Sequence, residues 1–161
     1  FLTATVVGLS LPKRYEARSR VMLDIVKPDP VTGQMLATSF ARAYMKTQTE
    51  LVTDYGVTGA VVDDLGWAKA PALIEAYNKR SSGEAMDIRR WLAQRIGEST
   101  RATQIEGSNI LEIGYSTSSP EAARKVADAL RRAYIAQSVA VRREAATRMG
   151  SEAEQEKGKS K

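Results

Sequence analysis

Acidic residues are the first candidates for chemistry in this sequence, because paired carboxylates can bind a metal ion or transfer protons. Two groups qualify: the neighbours Asp63 and Asp64, and Asp24 with Asp29. Asp63 and Asp64 lie in a short amphipathic segment, where adjacent side chains point in different directions. A solvated surface explains them better than a site. A hydrolase acting on polysaccharide needs two positioned carboxylates, so it is the weakest alternative.

The chain lacks the residues on which many catalytic and metal sites depend. Its 161 residues include no histidine and no cysteine, which excludes a Ser-His-Asp triad, a reactive thiolate and a disulfide. The spacings of an EF-hand, a P-loop and a dinucleotide-binding loop are also missing. The lysines stand mostly beside other polar residues, as on ordinary surfaces. We therefore predict a protein that is not an enzyme and needs no cofactor or metal ion.

Positive charge is the main electrostatic feature, with a formal net charge of +5. An ordinary solvated surface explains it, and attraction to phosphate, acidic polymers or anionic lipid is the alternative. No zinc-ligand set or RNA-recognition strand is present, so no nucleic-acid partner is predicted. The pairs Arg131–Arg132 and Arg142–Arg143 are candidate contacts to an acidic polymer. Alternatively, these arginines would form ion pairs with glutamates of a neighbouring subunit, or would simply face water.

These arginines belong to a strand, turn and long helix between residues 108 and 148. In the strand, apolar residues alternate with polar or small ones: Leu111, Ile113 and Tyr115. Ser118 or Ser119 can cap the helix, and Pro120 suits its first position. An apolar stripe follows at steps of three and four: Ala123, Val126, Ala127, Leu130, Ala133, Tyr134 and Val141.

We predict that the helix stripe packs partly on the domain's own sheet and partly on a neighbouring subunit. The predicted interface residues are Val126, Leu130, Tyr134 and Val141. Repeating such a contact would build a homo-oligomer.

The remaining pattern predicts an α+β fold. Residues 15–25 alternate as a half-buried strand, and residues 101–105 and 110–115 form a predicted hairpin. We expect a small mixed or antiparallel sheet of three or four strands, covered by helices, with a long C-terminal helix. A loop is expected around residues 28–33, where prolines and a glycine interrupt regular structure.

Four helices are predicted between these strands. Thr38 or Ser39 would cap the first, which runs to about Tyr55 and ends before Gly56. The others are predicted at residues 57–65, from Ala70–Pro71, and at residues 84–96, with a break at 80–83.

The two ends differ from the domain between them. The first eleven residues are largely apolar but fewer than the about 20 that a membrane-spanning helix needs. We interpret residues 1–14 as the end of a first transmembrane helix with its juxtamembrane link, although a buried strand or helix would also fit. Residues 15–148 form the predicted domain. Residues 149–161 are almost wholly polar, and we predict a disordered tail.

Several stretches together resemble the periplasmic domain of the Wzz-type chain-length determinants, the polysaccharide co-polymerases, and the exopolysaccharide branch most closely. The strongest is Ile-Gly-Tyr-Ser-Thr-Ser-Ser-Pro-Glu-Ala-Ala at 113–123, continued at 127–135. The other similar stretches lie at residues 15–24, 44–52, 61–66 and 88–92. The order and spacing of the stretches carry the resemblance, which covers residues 1–148.

The resemblance implies a location and partners. Members of that family are anchored in the bacterial inner membrane by two helices and assemble as rings in the periplasm. They govern the length or export of a growing polymer, and some act with a cytoplasmic tyrosine kinase. The implied role is a non-catalytic scaffold beside a polymerase or export machinery. The alternative is a carbohydrate-binding module for acidic glycans, using Arg131, Arg132, Arg142 and Arg143.

Overall fold

The computed structural model describes residues 13–23, 34–80 and 85–159, with only the backbone for residues 34–38. Three predictions fall outside these ranges: the membrane anchor in residues 1–12, the loop at 28–33 and the break at 81–83. Asp24 and Asp29 lie outside them as well.

Strands and helices follow one another in an α+β arrangement, which confirms the predicted fold class. The strands are β1 (Tyr15–Met22), β2 (Thr100–Gln104) and β3 (Ile110–Thr117). The helices are α1 (Gln34–Val52), α2 (Tyr55–Leu65), α3 (Pro71–Asn78), α4 (Ile88–Glu98) and α5 (Pro120–Lys159), with a short 3-10 helix at Trp67–Lys69.

The three strands form an antiparallel sheet in the order β1-β3-β2. The β2–β3 hairpin matches the prediction, and Gly107 in its turn has a φ of +72°. In the register, Val21 of β1 is opposite Leu111 of β3, and Gln104 of β2 is opposite the same residue. The central strand is therefore β3, and β1 pairs with only one of the two later strands.

Successive side chains of a strand point to opposite faces, so the sheet has an inner face toward the helices and an outer face. On the inner face, Leu111, Ile113 and Tyr115 of β3 are buried. On the outer face, Glu112 accepts ion pairs from Arg18 (3.3 Å) and Arg20 (3.0 Å) of β1. The predicted half-buried strand is confirmed for residues 15–22, since its exposed and covered residues alternate.

The core lies between the inner face of the sheet and the helices. Helix α5 packs on β1, β3 and α2, and α2 packs on α4. The largest fully buried side chains are Met45, Val52, Val57, Val61, Val62, Leu92, Ile96, Leu111, Ile113, Val126, Leu130 and Tyr134.

Two helix boundaries differ from the prediction because glycine and serine were assigned the wrong roles. Helix α1 begins at Gln34, before the expected caps Thr38 and Ser39, and ends at Val52. Asp54 then caps α2 by accepting a hydrogen bond from the backbone N–H of Gly56, which lies inside α2.

The starts of α3 and α4 compare differently with the prediction. Pro71 occupies the first turn of α3, as predicted. Helix α4 begins at Ile88, four positions later than predicted, because the Asp87 side chain accepts a hydrogen bond from the Arg90 N–H (2.8 Å).

The long helix α5 spans 40 residues and reaches Lys159. The prediction of a disordered tail from residue 149 is therefore wrong as far as residue 159. Most residues between 149 and 159 are glutamate, alanine, glutamine or lysine, which all favour helix. A helix already formed upstream can extend through them without a new nucleation step.

Candidate functional surface on the long helix

Helix α5 starts from a cap that fixes its direction relative to the sheet. Ser119 Oγ accepts a hydrogen bond from the Ala122 N–H at 3.3 Å and lies 3.0 Å from Glu121 Oε2. The Ala123 N–H donates to the Ser119 carbonyl at 2.9 Å. Ser119 is thus the cap, one of the two serines predicted. The end of β3 and the first turn of α5 are joined directly.

Three of the four predicted interface residues lie in the domain's own core. Val126, Leu130 and Tyr134 are 1%, 0% and 2% exposed. Because the same chain covers their side chains, these three residues present no surface to a neighbouring subunit in this fold. The apolar stripe indicated correctly which side of α5 is buried, but the sheet and α2 bury it.

Val141, the fourth predicted residue, is 51% exposed and belongs to a different part of the helix. Every residue from 139 to 159 is exposed, and we call this part of α5 the distal segment. Its length is about 30 Å at 1.5 Å per residue. Met149, 70% exposed, was missed because it lay in the presumed tail. The signal that could have found it is its eight-residue spacing from Val141, which places both near one side of a helix.

The four predicted polymer-binding arginines are all exposed on α5. Arg131 and Arg142 are eleven residues apart, and so are Arg132 and Arg143. Eleven residues make about three turns, so Arg142 lies on the same side of the helix as Arg131, and Arg143 on the same side as Arg132. Arg132 also forms an ion pair with Asp64 (2.9 Å). Arg142 Nη2 lies 3.5 Å from the Tyr44 hydroxyl.

The acidic candidates Asp63 and Asp64 do not converge. Asp63 makes two hydrogen bonds with Arg89 of α4 (2.8 and 2.9 Å), and these hold the pKa of Asp63 below its usual value. Asp64 pairs with Arg132 of α5 instead. Their carboxylates therefore connect α2 to two different helices, as ion pairs on the surface. Within residues 13–23, 34–80 and 85–159, no group of three or more aspartate or glutamate side chains lies close enough together to hold a metal ion.

Arg89 is a structural link that the sequence analysis did not identify. Its Nη1 donates to the Tyr55 hydroxyl at 2.6 Å while its other nitrogens bind Asp63. The guanidinium also lies beside Gly59, where an added Cβ would be 2.9 Å from Nη1. Gly59 therefore leaves room for the Arg89 guanidinium against α2, which is visible only once the two helices are placed together.

Comparisons with known proteins give no assignment. No family model matches the chain, and no curated protein matches it significantly. Among the described residues, no helix combines the length and apolar character required to cross a bilayer.

Proposed function

We propose that this domain is the periplasmic part of a non-catalytic scaffold, anchored in the bacterial inner membrane, that regulates the chain length, polymerisation or export of an exopolysaccharide through homo-oligomeric assembly. The resemblance of residues 113–123 and the other stretches to chain-length determinants motivates the proposal. The observation that carries it is the distal segment, an exposed helix extending from an otherwise packed α+β domain.

A free helix of this kind needs an explanation in terms of packing. Most of the stability of a helix in a protein comes from tertiary packing of one face, whereas every residue of the distal segment is exposed. A helix that is polar on most sides is stabilised by side-chain pairs or by bridging to another body. Val141, Ala145 and Met149 follow a four-residue step and so form one apolar ridge on the distal segment. Packing of this ridge against another copy supplies the missing stabilisation.

The proposed mechanism is geometric. Copies that pack through their distal segments form an assembly beside the polymerase or export machinery. The membrane and, in some systems, a cytoplasmic tyrosine kinase are the further partners of this assembly. Polymer length then depends on how long the assembly retains or guides the chain. No reacting group is required for this role.

The test is the mass of the full-length protein in detergent, measured by mass photometry. We expect Val141→Asp with Met149→Asp to reduce the assembly to smaller species, because two charges would be buried at the contact. Thr147→Asp is the matched control, since residue 147 is about 200° around the helix from residue 145. Unchanged mass in the double variant, or equal loss in the control, would contradict the proposed contact.

A second candidate function is binding of acidic glycans by the arginines of α5. The observation in its favour is that Arg131 and Arg142 share a side of the helix about 16 Å apart. Calorimetry with the native polymer tests it. Binding that Arg131→Gln and Arg142→Gln weaken, but Glu154→Gln does not, would support the glycan-binding function over a purely geometric scaffold.

A further inference from the structure

A cavity of about 530 Å³ lies at the end of the sheet where β1 begins, away from the distal segment. Its walls are formed by the residues before β1, the end of β3, the 3-10 helix, α3 and α4. Pockets of roughly 300–1,000 Å³ hold small organic ligands. The cavity is therefore large enough for more than a single inorganic anion.

Positive charge dominates the lining of this cavity. Lys13, Arg14 and Arg95 contribute three cations, and Glu98 contributes the single carboxylate. Among the described residues, neither Lys13 nor Arg95 has an ion-pair partner. Arg14 donates only to a neutral acceptor, the Ser116 carbonyl at 3.3 Å. The net charge of about +2 around the cavity is thus not neutralised by the domain itself.

Tyr115 adds a hydroxyl donor to the charged groups. It is 7% exposed and lines the cavity, and no hydrogen bond engages its hydroxyl within the described part of the chain. Burial raises the pKa of Tyr115, while the nearby positive charges of Arg95 and Arg14 act in the opposite direction. The two guanidinium groups are therefore close enough to influence the phenol, and the phenol stays protonated as a donor.

Part of the cavity lining is apolar. Trp67, Leu73 and Leu92 supply it, and the Arg95 guanidinium lies 4.9 Å from the ring centre of Trp91. Stacking on an aromatic ring limits the movement of the guanidinium and presents its nitrogens in a fixed plane. A lining that combines three cations with an aromatic and two aliphatic side chains matches a ligand with a charged group attached to a less polar body.

We propose that this cavity binds a phosphate group carried on a sugar-sized organic group. Arginine presents a planar fork of donors that suits phosphate oxygens, and lysine adds a point charge. The excess charge of about +2 matches a phosphate, and the Trp67 wall accommodates the ring or polyol attached to it. A soluble sugar phosphate and a glycerophospholipid headgroup share this chemistry. The proposal is independent of the assembly through the distal segment.

The test uses the fluorescence of Trp67. Trp91→Phe leaves Trp67 as the only tryptophan in the 161-residue chain and keeps an aromatic ring for Arg95 to stack on. In this background we expect a saturable change in emission with glucose 1-phosphate or with vesicles of phosphatidylglycerol in phosphatidylcholine. The arm that responds identifies the source of the phosphate. Glucose and pure phosphatidylcholine vesicles, which lack the net negative charge, should give no saturable response.

Variants separate the cavity from general surface charge. We expect Arg95→Gln and Lys13→Gln each to weaken binding about tenfold, the effect of one charge-assisted hydrogen bond. Lys13 makes no contact within the described residues that folding requires, so it remains informative if Arg95→Gln unfolds. Arg148→Gln, in the distal segment, should change the dissociation constant less than twofold. No saturable response to either phosphate probe, equal binding of glucose, or equal weakening by Arg148→Gln would overturn the proposal.

Discussion

The Tyr134 hydroxyl of α5 donates a hydrogen bond to Oε1 of Gln48 of α1, and both side chains are buried. The two residues are 86 positions apart in the chain, so the bond joins the first helix to the last. Burial raises the pKa of Tyr134 to about 12. Among the described residues, every buried side-chain nitrogen or oxygen has a hydrogen-bond partner. The Tyr134 hydroxyl and Gln48 Oε1 are partners of each other.

Removal of this hydroxyl should therefore destabilise the fold. We expect Tyr134→Phe to lower the free energy of unfolding by about 1–3 kcal/mol, because Gln48 would keep a buried acceptor without a donor. Tyr15→Phe, at a 41% exposed residue of β1, should change it by less than about 0.5 kcal/mol. Urea denaturation measures both. Equal stability of Tyr134→Phe and the original chain would show that the bond contributes nothing.

Stability should also fall at high pH. Tyr134 has a folded-state pKa of about 12 against an ordinary value of 10.0, so below pH 10 its contribution is fully present. Between pH 10 and 12 the unfolded chain loses the proton more readily than the folded one, and the free energy of unfolding declines. Burial of Tyr115 raises its pKa and acts in the same direction. Tyr134→Phe should show a shallower decline, and parallel curves would contradict this assignment.

The corrected positions of the stripe residues give a third prediction. Leu130→Ala should lower the free energy of unfolding by about 2–5 kcal/mol, because Leu130 is 0% exposed and truncation leaves a cavity. Val141→Ala, at a 51% exposed residue, should change it by less than about 0.5 kcal/mol. Thermal and urea denaturation of the two variants compare them directly. A small loss for Leu130→Ala would place that side chain outside the core.

The sheet was largely predictable from the sequence, because a two-residue period and a hairpin turn are local signals. Residues 15–22 alternate along β1, and the turn at Gly107 connects β2 to β3. The helix stripe was equally local, and it identified the buried side of α5. It did not reveal what covers that side, because the partner surface is distant in the chain. For this reason Val126, Leu130 and Tyr134 were assigned to an interface between copies.

Other features depended on choices that sequence alone leaves open. Gly56 and Gly66 both suit the residue after a helix, but only Gly66 adopts the left-handed conformation. Polar composition after residue 149 fits either a disordered tail or the end of a helix started upstream. The cavity near Lys13 and Arg95 combines residues from five separate segments, so no local sequence pattern predicts it.

Gly66 provides a backbone prediction. Its φ of +64° ends α2, and an added Cβ would meet no atom within 4 Å, so the penalty for alanine is conformational. We expect Gly66→Ala to destabilise the domain by about 1 kcal/mol and Gly66→Asn to do so by less, since asparagine tolerates this conformation. Gly150→Ala, in the distal segment with open space around it, should instead raise the helix content measured by circular dichroism. A stabilising Gly66→Ala would contradict the left-handed cap.

The central claim is that contacts of the distal segment between copies determine polymer length. The most direct test is the size distribution of exopolysaccharide from cells in which the full-length protein carries Val141→Asp and Met149→Asp. Both residues are exposed, so the domain should fold and reach normal abundance. We predict an altered length distribution in the double variant and a normal one in Thr147→Asp. A normal distribution in the double variant at normal abundance would contradict the account.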